Sequence, residues 1–265
     1  MRKILSILAL AAAMAGVQAV FALPSRADTL ASLFTGNLIV SAAQGKVNNI
    51  TISTDALGNV LVSDTGDVMR ADGGDCTRVT ANQVRCQGVT VVRVFAGDLD
   101  DTITNNSAVS TQLFGEAGRD TFRGGSGSDG ITGGTGDDTA FGNGGDDFFQ
   151  ADAIDGKDSF SGGAGSDLAA YNNRGTAQTI TLDGVANDGT AGEGDNLGSD
   201  VERVFSGAGS DHITGNAAAN EIRGGNGDDV INAVDGIGGN DTISADGGTD
   251  TCDSDRGDTE LNCEI

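Results

Sequence analysis

The residues best placed to do chemistry in this chain are aspartates spaced nine apart. Asp120, Asp129, Asp138 and Asp147 recur in four uninterrupted units, GEAGRDTFR (115–123), GGSGSDGIT (124–132), GGTGDDTAF (133–141) and GNGGDDFFQ (142–150). Each unit has glycine first (Gly115, Gly124, Gly133, Gly142) and fourth (Gly118, Gly127, Gly136, Gly145). The eighth residue is apolar: Phe122, Ile131, Ala140, Phe149. Glycine reaches backbone angles that let carbonyl oxygens converge on one locus, and a short carboxylate adds more oxygen. Such a turn suits a hard divalent cation. The acids agree with this, because 33 of the 39 are Asp and 6 are Glu, whereas a solvated surface would use either. The formal net charge of −24 makes nucleic acid and anionic membranes poor partners and cations good ones.

The pattern continues less perfectly on both sides. Residues 153–161 keep Gly156, Asp158 and Phe160, and 162–170 keep Gly165 and Asp167. Upstream, 96–104 keep Asp101 and Ile103 but carry Leu99 in the fourth place. A second block opens at Ser206 with Gly209, Asp211 and Ile213. Its next unit, 215–223, has Ala218 and Asn220 at the two critical positions, and is expected to hold the coil without a full cation site. Residues 224–232 return to form with Gly227, Asp229 and Ile231. After a three-residue insertion come Gly239, Asp241 and Ile243, then Gly248, Asp250 and Cys252.

These nonapeptides resemble the GGxGxDxUx repeats of the RTX, or haemolysin-type, calcium-binding family. The wider layout is similar to that of small secreted bacterial calcium-binding proteins. The resemblance implies an all-β fold, a parallel β-roll: a β-helix-like solenoid of nonapeptide repeats that binds several Ca²⁺ ions. Carried onto this chain, it points to metal ligation by Gly115, Gly118, Asp120, Gly124, Gly127, Asp129, Gly133, Gly136, Asp138, Gly142, Gly145 and Asp147. The looser copies add Asp158, Asp167, Asp211, Asp229, Asp241 and Asp250. Physically, six residues of each unit turn and three form a strand whose eighth residue points inward. Two units complete a coil, so 115 stacks on 133, 124 on 142 and 206 on 224. The fifth-position acids Asp137, Asp146 and Asp228 are expected to face solvent. A backbone-rich oxygen cage prefers calcium to magnesium, which demands tighter geometry and keeps its water. Without metal the stacked carboxylates repel, and a thin core cannot offset the ordering of so many glycines, so folding is expected to require calcium.

The remaining segments frame the repeats. Arg2 and Lys3, an apolar run from Ile4 to Val17 and small residues after it read as a secretory signal peptide, cleaved after Ala19 or as late as Ala27. The run is too short for the ~20 residues of a membrane span. Cys76 lies ten from Cys86 and Cys252 eleven from Cys263, so two local disulfides are the economical reading for an exported chain. A zinc site is the rival, without C-x-x-C spacing and with His212 as the only histidine. His212 itself falls on an outward strand position. The expected layout is signal peptide 1–19, β-rich N-terminal cap 28–94, first repeat block 95–170, strand-and-loop insertion 171–205, second repeat block 206–253 and disulfide-closed C-terminal cap 254–265. The cap carries alternating strands at 37–41, 49–53 and 59–63, with turns at Gly58-Asn59 and Asp72-Gly73-Gly74; a separate ligand-binding domain is its sharper alternative. The loop 183–200, with Gly192-Glu193-Gly194-Asp195-Asn196, reads as solvated, and a calcium turn is its alternative. No G-x-S-x-G, H-E-x-x-H or P-loop occurs, and the repeat already explains acid pairs such as Asp228-Asp229, so no catalytic residue is assigned. The function expected is a secreted, non-catalytic calcium binder with a structural or extracellular interaction role, cell-surface or matrix glycans being candidate partners. The alternatives are the repeat tail of an exported toxin or hydrolase, and a calcium-dependent adhesin.

Overall fold

The computed structural model describes residues 28–72, 75–152 and 156–264. The expected signal peptide, Gly73-Gly74 and the start of the 153–161 unit lie outside the described residues. Among the described residues there is no helix, and 26 strands form sheets of 12, 9 and 5 strands.

Each repeat forms a strand because its eighth residue finds an interior. Phe122, Ile131, Phe149 and Phe160 are at most 1% exposed, while the residues on either side point outward. Successive units alternate between two sheets: Asp129–Thr135 and Phe148–Gln150 lie in the 12-stranded sheet, Thr121–Arg123 and Thr139–Gly144 in the 9-stranded one. Like strands pair in parallel two units apart, Phe122 opposite Ala140 and Ile131 opposite Phe149. The two sheets meet across a narrow core, where Phe149 of one stacks on Phe160 of the other at 5.2 Å between ring centroids. This is the β-roll expected from the period. The insertions move the register without breaking it, so that Ala140 pairs with Phe160 and Ile231 with Cys252.

The ends are built differently. Asn37–Ser41 and Asn49–Thr54 join the coil in parallel, opposite Val91–Asp98 and Thr102–Asn105, but each has an antiparallel strand as its other neighbour. Beyond them Val60–Asp64 pairs with Gln83–Cys86, which closes a hairpin with Cys76–Thr80. The first disulfide, Cys76–Cys86, bridges that hairpin, and the second, Cys252–Cys263, ties the last coil to the C-terminal segment. The N-terminal part thus extends two sheets of the solenoid and covers its first open edge. At the other end the coil runs on through Thr259–Leu261, paired with Thr242–Ser244. In the 171–205 segment the 12-stranded sheet continues, while Gln178–Thr181 starts the 5-stranded sheet that replaces the 9-stranded one.

Close stacking of turns is what requires the fourth-position glycines. Gly136 has φ +126°, and a Cβ there would land on the carbonyl oxygen of Gly118 in the turn beneath. Gly136→Ala should lower the unfolding free energy of the calcium-loaded protein by about 1–3 kcal/mol, read from denaturant titration. Gly175→Ala, with open space around it and no left-handed backbone, should change stability by no more than about 0.5 kcal/mol. Equal effects in the two variants would contradict this packing.

Candidate functional site

The sixth-position aspartates form columns along the edges of the coil. In the first, the backbone N–H groups of Asn48, Asp101, Asp120, Asp138 and Asp158 donate to Oδ1 of Asp101, Asp120, Asp138, Asp158 and Asp195, at 2.6–2.9 Å. On the opposite edge, Thr111, Asp129 and Asp147 donate to Asp129, Asp147 and Asp167, each at 2.8 Å, and Asp167 donates to Glu202 Oε2. Farther along, Asn220 and Asp241 donate to Asp241 and Asp258. The third column runs from Gln178 through Asp211, Asp229 and Asp250 to Glu264. One carboxylate oxygen per turn therefore sets the rise between coils.

The other oxygen is what makes a site. Oδ2 of Asp101, Asp120, Asp147, Asp167, Asp229, Asp241 and Asp250 is buried and accepts no hydrogen bond, in residues at most 2% exposed. First-position glycines mark where these atoms point. A Cβ at Gly115 would meet both Asp120 Oδ2 and the Gly133 carbonyl of the next stacked turn. Gly142 has the same relation to Asp147 and Gly162, and Gly224 to Asp229 and Ala245. A carboxylate oxygen and a carbonyl oxygen thus converge with no proton donor between them, and a buried anion is stable there only if a cation or a proton reaches it. Burial, aided by neighbouring carboxylates, pushes Asp101 and Asp147 up to about 7. Burial likewise raises Asp120, Asp167 and Asp229 to about 6. Short carboxylates and carbonyls at one locus, all hard oxygen donors, fit Ca²⁺.

Not every predicted residue has this geometry. Asp129 uses both oxygens internally: Oδ1 accepts from Thr111, and Oδ2 accepts from Gly125 N–H at 2.7 Å. In the 215–223 unit Asn220 Oδ1 accepts from Asn216 N–H, and its amide nitrogen reaches Asn216 and Glu202. The fifth-position acids form a separate outer rail. Asp100, Asp137, Asp146 and Asp228 each accept a backbone N–H from the next stacked turn, donated by Arg119, Lys157, Ser166 and Thr249. His212 is exposed.

The solvated reading of the 183–200 loop holds for 183–187 and 191–192, which are exposed, and is corrected at Asp188 and Asp195. Asp188 and Asp195 in it are each 1% exposed, because the loop folds back onto the coil and Asp195 takes the next place in the first column. Asp195, Glu202, Asp258 and Glu264 are column residues that the repeat pattern misses. Asp195 lies 37 residues from Asp158 and Glu202 35 from Asp167, so their spacing has lost the period. Asp195 leaves one signal, a glycine-flanked acid at the end of an insertion (Gly194-Asp195), and Glu202 another, its place two units before Asn220.

The family described as RTX calcium-binding nonapeptide repeat (4 copies) matches residues 112–131, 132–169, 198–231, 205–238 and 232–261. The matches cover the first block from residue 112 on, the end of the insertion and the whole of the second block. Among curated proteins none matches the chain.

The raised carboxyls give the metal-free coil a definite pH dependence. A group with a raised folded pKa binds its proton on folding, so its stabilisation is present at low pH and is lost as pH rises through the folded value. For Asp101, Asp120, Asp147, Asp167 and Asp229 that window runs from the ordinary 3.8 up to about 6–7. Metal-stripped protein should therefore gain β-sheet circular dichroism as it is acidified from about pH 8 to about pH 5, while calcium affinity falls over the same range as protons compete. A metal-free spectrum that weakens on acidification would contradict this assignment.

Proposed function

We propose that this RTX-repeat protein is a secreted, non-catalytic calcium binder whose two repeat blocks close into a β-roll when the ions bind. One observation carries the reading: the row of buried aspartate oxygens that face backbone carbonyls and have no hydrogen to accept. In the first block Asp120, Asp138, Asp147, Asp158 and Asp167 would hold the ions, with Asp101 joining them. Carbonyls of the glycine turns containing Gly115, Gly118, Gly124, Gly127, Gly133, Gly136, Gly142 and Gly145 would supply the remaining oxygens. Asp211, Asp229, Asp241 and Asp250 would do the same in the second block. Asp129 would contribute chiefly to register, since both its oxygens are engaged.

When bound, calcium supplies positive charge between stacked turns. The chain's own part is to pre-set each carboxylate through its Oδ1 hydrogen bond, so that only Oδ2 remains to be neutralised. Export is supported by the Arg2–Val17 segment and by the pairing of all four cysteines in local disulfides, the usage of an oxidising compartment. A structural or extracellular interaction role follows from a molecule whose distinctive chemistry lies in its turns.

Two measurements test the reading. The purified chain should carry several calcium ions, and excess chelator should abolish most of its β-sheet circular dichroism, with recovery on adding millimolar calcium. A chelated protein that stays compact and protease-resistant would refute it. Asp147→Asn keeps an Oδ1 acceptor for Asp129 N–H but turns an amide toward the cradle. It should lose one ion and raise the calcium concentration for half-maximal folding by at least about tenfold; Asp146→Asn, on the outer rail, should leave the ion count unchanged.

A further inference from the structure

Where the first aspartate column ends, the cradle recurs but its cation is already in the chain. Asp195 Oδ1 accepts the N–H of Asp158 at 2.9 Å, as every column residue accepts from the turn below. Its Oδ2 has partners that the repeat aspartates lack: the Tyr171 hydroxyl at 3.1 Å and the Arg174 guanidinium at 3.6 Å. A Cβ at Gly189 would meet Asp195 Oδ2 and Glu193 Oε2 together, repeating the relation of Gly115 to Asp120 with a second carboxylate in place of the carbonyl. Arg174, its side chain 2% exposed, pairs with Glu193, donates to Gln178 Oε1 at 3.3 Å and lies over the Tyr171 ring at 4.7 Å. Glu193 is held in turn by Thr190, whose N–H and hydroxyl both donate to Oε2. On its other side, Arg174 starts the next column: its carbonyl accepts Ala208 N–H at 2.8 Å, and Gln178 N–H donates to Asp211.

We propose that the Arg174 guanidinium is a built-in cation that takes the place of a metal ion between the two repeat blocks, making the 171–202 joint a calcium-independent platform on which both stacks assemble. This rests on the calcium reading above. The charges support it: a buried guanidinium offsets one of the two negative charges of Glu193 and Asp195, as a bound cation would do in the repeat turns. The planar guanidinium, with several donors in one plane, satisfies two carboxylates and an amide at once, which a spherical ammonium could not do.

Hydrogen–deuterium exchange on the full chain, with and without chelator, reads this without any variant. In chelator the amides of Asp158, Thr190 and Ala208 should exchange at least about tenfold more slowly than those of Asp120 and Asp229, and the latter two should slow only when calcium is added. Arg174→Gln should lose the joint's protection in chelator and regain it in calcium, with native mass spectrometry counting one more bound ion than in the wild type. If joint amides open in chelator as freely as repeat amides that respond to calcium, the inference alone falls. It also falls if Arg174→Gln keeps its protection in chelator, or refolds in calcium with the wild-type ion count. Repeat amides that ignore calcium altogether would overturn the calcium reading itself, and this proposal with it.

Discussion

A buried carboxylate oxygen with no hydrogen to accept is the constraint around which the molecule is organised. Asp101, Asp120, Asp147, Asp167, Asp229, Asp241 and Asp250 each perform two tasks with two oxygens. Oδ1 binds a backbone N–H of a neighbouring turn and fixes the rise of the coil; Oδ2 is thereby held in a dry cleft beside a carbonyl, where its charge must be compensated. The tasks are coupled. A side chain that registers the turn well enough to order the solenoid also cannot swing out to water. This is why the acids are aspartates: with one methylene between backbone and carboxylate, Oδ1 reaches the adjacent turn while Oδ2 stays against its own first glycine. Glu202 and Glu264 do enter columns, Glu202 where the edge resumes after the insertion and Glu264 where the third column ends.

The same argument separates the members of each acid pair. In Asp137-Asp138, Asp146-Asp147 and Asp228-Asp229 the second residue is buried, and the first bonds a backbone N–H at the exposed rim. The turn edges thus carry an inner rail that demands cations and an outer rail that only staples turns together. Acids thus concentrate in the turns, and where one stands on an outward strand position, as Glu221 does, Arg203 and Arg223 pair with it.

What could be read in the sequence is what the nine-residue period enforces. The period sets the two-unit coil, the inward eighth residue and the pairing of Phe122 with Ala140 and Ile131 with Phe149. It also carries across the insertions: beyond the two extra residues before Ala153 and the three before Gly236 the strands still pair. The disulfides were legible because each joins cysteines near in sequence. Illegible were the places where the period stops and tertiary contact takes over. Asp195 reaches its column only because a whole loop folds back, and its glycine-flanked setting, Gly194-Asp195, suits a solvated turn as well as a column. Arg174 is in a stretch, Tyr171-Asn-Asn-Arg-Gly, that looks like an ordinary polar turn until Glu193 and Asp195 are brought to it. Asp129 is the converse case: it matches the repeat at every position, yet Gly125 N–H occupies the oxygen that its counterparts leave open.

The outward aromatics show the same economy in the sheet faces. Phe95 and Phe114 stack at 4.9 Å with planes only 7° apart, Arg123 lies over Phe141, and Phe205 has Arg223 at 4.4 Å and Arg203 at 5.4 Å. Strand spacing in a parallel ladder brings each ring face onto its neighbour, so these rings meet one another or a guanidinium and turn their edges to solvent. The aromatics therefore stiffen the roll laterally, as the aspartate columns do along its edges. Along the turn edges the outer face is acidic instead, carried by Asp100, Asp137, Asp146 and Asp228.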